Sequence, residues 1–94
     1  MDKGQVLIKF IRKGHGRLIG AVVATGTKQI GWSVCSKIDR PGGKFDKQKA
    51  IEIAIGRSLK VNNPQKMLEN EEVAVSARKE YRKMIERAKK FKSF

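Results

Sequence analysis

Ninety-four residues hold 22 Lys/Arg against 9 Asp/Glu, a formal net charge of +13 with a pI near 10.3. That length supports one domain, 1–94, and a hydrophobic content of 39% fills one core, which excludes wholesale disorder. A single cysteine, Cys35, and a single histidine, His15, exclude a disulfide framework and a dedicated zinc site. The longest uncharged run, Leu18 to Thr27, is ten residues, about half of the ~20 a spanning helix needs. Met1-Asp2-Lys3-Gly4 leads into a strand-like segment rather than a signal peptide. The expectation is a small cytoplasmic protein with no cofactor, no metal and no membrane contact.

The charge is unevenly spread. Residues 1–45 carry nine Lys/Arg and two Asp/Glu, 46–75 carry five of each, and 76–94 carry eight and two. Two basic ends around a neutral centre favour an anionic partner over a merely soluble surface, which mixes signs.

The first half, 1–45, reads as a β-meander. From Gln5 to Lys13, Val6, Ile8 and Phe10 alternate with Leu7, Lys9 and Ile11, the period of a strand. Gly14-His15-Gly16 breaks it. Arg17 to Ala24 is almost uncharged and β-branched, predicting a central strand buried on both faces. Thr25-Gly26-Thr27-Lys28 is a hairpin turn. Gln29 to Lys37 forms the third strand, where Ile30, Trp32 and Val34 alternate with Gly31, Ser33 and Cys35.

The second half, 46–94, reads as helical. Asp46 is an N-cap for a helix from Lys47 to about Lys60, with Phe45 and Ala50 placed as a hydrophobic staple. On the wheel Ile51, Ala54, Ile55, Ser58 and Leu59 form the sheet-packing side, and Gly56 marks a close backbone approach. Ile53 falls opposite, among Lys49, Arg57 and Lys60; it packs under the final helix or marks a dimer contact. Asn63 and Pro64 cap a short helix through Glu69. Ser76 caps the last helix, whose apolar stripe is Ala77, Tyr81, Met84, Ile85, Ala88 and Phe91. The fold class is therefore α+β: a three-stranded antiparallel sheet followed by two main helices on one face.

The strongest functional signal is the polar side of that last helix. Arg78, Lys79, Arg82, Lys83, Arg87, Lys89 and Lys90 are interrupted by Glu80 and Glu86 alone. A solvated face is the bland alternative, but seven bases against two acids leave repulsion largely uncompensated, as a phosphate-binding face requires. Lys9, Arg12, Lys13, His15 and Arg17 form a second basic group at the first hairpin, serving phosphate contact, edge protection, or both. Arg40 and Lys44 sit in Arg40-Pro41-Gly42-Gly43-Lys44, a loop running into a helix N-terminus, although the phosphate-loop pattern is incomplete. Trp32 and Tyr81 could stack on bases, yet both have core-like spacing. Catalysis has little footing. Cys35 and His15 lack a third orienting group, and Asp39, Asp46 and Glu52 make a poor metal set because the last two point about 120° apart on one helix.

Lys44-Phe45-Asp46-Lys47 and Glu52-Ile53-Ala54-Ile55-Gly56-Arg57, behind a strand Ile30-Gly31-Trp32-Ser33-Val34-Cys35, resemble a pattern of small uncharacterised bacteriophage proteins. The close of the chain, Val75-Ser76 through Arg87-Ala88-Lys89, is similar to theirs as well. The resemblance implies a phage origin and the host cytoplasm, and it brings no activity with it.

Taken together, these residues predict a non-enzymatic nucleic-acid-binding accessory or regulatory protein, monomer or homodimer, that grips DNA or RNA through phosphates. The alternatives are an inhibitor docking on an acidic host or defence protein, and a structural module of a nucleoprotein or virion assembly.

Overall fold

A computed structural model describes residues 6–13, 17–34, 46–70 and 72–90. Three strands, β1 (Leu7–Lys13), β2 (Arg17–Gly26) and β3 (Gln29–Val34), form an antiparallel sheet in the order β1-β2-β3. Three helices follow: α1 (Lys47–Ser58), α2 (Pro64–Glu69) and α3 (Val75–Ala88). This is the α+β architecture expected of the sequence, although β2 runs through Gly26 rather than ending at Ala24, which shortens the expected turn to Thr27-Lys28 between paired Gly26 and Gln29.

The helices do not share one face of the sheet. Leu7, Val22, Ala24, Ile30, Trp32 and Val34 join Ala77, Tyr81, Met84, Ile85 and Ala88 of α3 in one apolar cluster. The alternate residues point the other way, where Ser33 Oγ donates to Ala50 O of α1 at 2.8 Å. Strand side chains alternate between faces, so α1 and α3 lie on opposite sides. The reason is legible in β2: Ala21, Val22, Val23 and Ala24 are all wholly buried, so both faces of the strand must be covered.

The α1 contact is built from small side chains. Ala50, Ala54 and Ser58 are its buried positions, spaced at i, i+4 and i+8. Of the expected core side, Ala54 and Ser58 hold, Ile51 and Ile55 are half-buried, and Leu59 is 60% exposed. The close backbone approach falls on β3 rather than in the helix. A Cβ at Gly31 would meet Ala54 O and Ser58 N, whereas one at Gly56 meets nothing within 4 Å. Ser58, wholly buried, satisfies its hydroxyl with Ile55 O at 2.6 Å and shares a 2.8 Å hydrogen bond with Thr25 Oγ1. Ile53, 37% exposed on α1, is on the wrong side of the sheet to pack under the final helix.

Two caps form as the sequence implies. Asp46 Oδ1 accepts from Lys49 N at 3.0 Å, and Asn63 Oδ1 from Lys66 N at 3.3 Å. Ser76 is not a cap: α3 starts one residue before it, with Ala74 at the cap position and no side-chain bond. Its first turn closes instead through Ala77 N to Ala74 O at 2.9 Å. On the α3 side, Tyr81 is fully buried and its hydroxyl donates to Ile30 O at 3.0 Å. Burial, and secondarily the charge of Glu72, push that phenol well above its ordinary value. No helix among the described residues is long and apolar enough to cross a membrane.

Candidate nucleic-acid interface

The apolar stripe of α3 is buried as a unit, which turns the rest of the helix outward. Lys79, Arg82, Lys83, Arg87 and Lys90 are exposed there. The other two predicted cations are partly committed. Arg78 is half-buried and its Nε donates to Val73 O at 3.2 Å. Lys89 Nζ lies 3.0 Å from Glu86 Oε2, an exposed pair that adds little to stability.

Tertiary structure adds one member to this face. Lys9 of β1 points to the α3 side of the sheet, and with Lys83 and Arg87 it lines a shallow cavity of about 210 Å³. Glu80 lies among these three cations, and its Oε1 is buried without a hydrogen-bond partner among the described residues. Three cations therefore converge around one carboxylate and leave a local excess of positive charge. Arg12 is exposed on β1. Lys13 and Arg17 are partners in the strand register, where β1 ends and β2 begins. His15, Arg40, Lys44, Cys35, Asp39, the Phe45 half of the staple and Phe91 lie outside the described residues, as does any strand beyond Val34.

Two of the three carboxylates considered for a metal have ordinary structural work. Asp46 caps α1, and Glu52 accepts from Gln48 Nε2 at 3.3 Å. No group of three or more His, Cys, Asp or Glu converges among the described residues.

A feature that sequence reading missed lies at the β3 edge. Trp32 is half-buried, with its indole against the core and the Arg57 guanidinium over its ring at 4.2 Å. Arg57 Nη1 also donates to Trp32 O at 2.8 Å. The residues are 25 apart in the chain, so no local spacing could announce the pair. It forms because α1 crosses β3 and sets Arg57, next to the sheet-facing stripe, at the strand's outer edge. The same edge is closed at Ile30, whose carbonyl takes the Tyr81 hydroxyl. Side chains thus occupy two edge carbonyls that would otherwise invite another strand.

No family model matches the chain, and neither a curated protein nor a solved structure is significantly similar to it.

Proposed function

We propose that this protein binds nucleic acid through phosphate contacts made by the outer face of α3 together with β1, without catalysis. One observation carries the reading: Lys9 joins Lys83 and Arg87 across two elements, extending the exposed Lys79, Arg82 and Lys90 into one basic surface. Each phosphate neutralised there releases condensed counterions, so affinity falls as salt rises. Six engaged phosphates give log K against log salt a slope of about −4 to −5, at roughly 0.7–0.9 per contact. The resemblance of the strand and helix motifs to small bacteriophage proteins is the ground for reading it as an accessory or regulatory factor of that origin.

The test is neutralisation of Lys79→Gln, Lys83→Gln and Arg87→Gln in one variant. Gln is close to Lys and Arg in helix propensity, and all three side chains are exposed, so the fold should survive. The slope should flatten by about 2–3 as three contacts are lost. An unchanged slope in a folded variant rejects this face and favours docking on an acidic protein.

A further inference from the structure

We propose that the groove at the β3 edge is a second, separate recognition site, one that takes an unpaired nucleotide with its base stacked on the Trp32–Arg57 pair. The inference rests on the nucleic-acid reading above and specifies which form of nucleic acid the protein prefers. The groove encloses about 920 Å³, within the roughly 300–1,000 Å³ range of small-molecule sites. Beyond the stacked pair its polar lining is Lys60, Asn62, Asn63, Lys66, Asn70 and Glu72, beside two apolar residues and with no residue of α3. Its charge is therefore independent of the α3 surface.

Three properties point to a nucleotide. The first is a preorganised plane. Arg57 is held by its stack on the indole and by one hydrogen bond, which together fix the guanidinium before any ligand arrives. A guanidinium plane stacks on a base as an aromatic ring does, and every base has a π-face. The second is unspent charge. Arg57 is exposed, uses one of its five N–H donors, and has no carboxylate partner among the described residues. Lys60 and Lys66, also exposed, add two cations against Glu72, the one carboxylate among the described lining residues. An anion belongs there. The third is the pair of exposed asparagine amides Asn62 and Asn70, whose donors and acceptors suit the edge of a base, beside Asn63, whose Oδ1 already caps α2. A duplex keeps its bases stacked and cannot offer this face, so the groove selects single strands, loops or ends.

Trp32 is the single tryptophan of the chain, so its fluorescence reports on this groove alone. The experiment titrates the full chain with a dT12 strand, an rU12 strand and a 12-base-pair duplex, following affinity and Trp32 emission together. Either single strand should change the emission at saturation and bind at least about 10-fold tighter than the duplex; the better of dT12 and rU12 names the sugar. Arg57→Lys keeps the charge and removes the plane, and should cost single-strand affinity about 10-fold with little effect on the duplex. The double variant Lys60→Gln/Lys66→Gln, at exposed positions, should lower the single-strand affinity while leaving the fold intact. Salt-dependent binding of all three probes with unchanged Trp32 emission, equal affinities and no loss in either variant overturns this inference and leaves the α3 reading standing. Failure of every probe to bind overturns both.

Discussion

The two faces of the sheet are held by different physics. On the α3 side, Tyr81, Met84, Ile30 and Val22 are wholly buried, large, and apolar apart from one phenol. On the α1 side the contact is mostly small, Gly31, Ser33, Ala21, Ala50, Ala54 and Ser58 around the larger Val23, and it is stitched by Ser33 Oγ to Ala50 O and by the Thr25–Ser58 hydroxyl pair. The first face is stabilised by the area it removes from water. The second is stabilised by close backbone approach, dispersion and satisfied hydroxyls. The two should fail in opposite ways: one to shrinkage, the other to growth.

The largest expected effect tests the α3 face. Tyr81→Ala should destabilise the protein by about 3–5 kcal/mol, the range for emptying a buried aromatic site. A domain this small has little more than that in reserve, so the variant should be largely unfolded by circular dichroism. If its denaturation midpoint stays near that of the parent, the α3 face is not the principal core.

Growth on the α1 face comes next. Gly31→Val places a branched side chain where Ala54 O and Ser58 N already stand, and backbone atoms cannot swing aside. The cost should be about 2–4 kcal/mol, at or above the usual 1–3 for overpacking. The same substitution would be welcome in an ordinary strand, where valine is a favoured residue. A neutral outcome would mean that α1 does not press on β3.

Tyr81→Phe sharpens the comparison by removing the phenol hydroxyl buried on the α3 face. It leaves Ile30 O without its donor, at about 1–2 kcal/mol. The effect also carries a pH signature. Burial first, and Glu72 second, raise the folded-state pKa of the phenol above its unfolded value near 10. The stabilisation is thus fully present below about pH 10 and is lost as pH climbs past it, because only the unfolded chain ionises readily. Melting temperatures of parent and variant, measured from pH 8 to pH 11, should run parallel and then converge. Curves parallel throughout would show that the phenol is not protected from ionisation.

The smallest effect has the opposite sign. Gly56→Ala adds a methyl on the outer side of α1, where nothing lies within 4 Å. It should stabilise by about 0.5–1 kcal/mol through helix propensity, visible as a rise in the denaturant midpoint. A loss of stability would restore the close approach that sequence reading assigned to Gly56.

Much of this architecture was written locally. The periods of β1 and β3, the uncharged run of β2, the caps at Asp46 and Asn63, and the α3 stripe each depend on neighbours within a few residues. Their geometry follows from backbone periodicity and short-range hydrogen bonds, which the sequence displays in order. The basic face of α3 was legible for the same reason, since burying its stripe leaves one way for its cations to point.

What tertiary structure alone decided is the partnership between distant segments. Nothing local says that α1 and α3 take opposite faces, although the doubly buried β2 required two covers. In α1 the wheel points the large Ile51 and Ile55 at the sheet, and the structure leaves both half-buried. Gly31 favours the smallest stripe instead: a helix lying this close to a strand can bring only Ala and Ser against it. The meeting of Lys9 with Lys83 and Arg87, and of Trp32 with Arg57, likewise depends on which helix covers which strand. Sequence by itself determined the elements and the sign of the surface charge, because both are sums over near neighbours. Which charges and rings stand together was settled by packing, where shape and closeness between segments far apart in the chain override the period of any one of them.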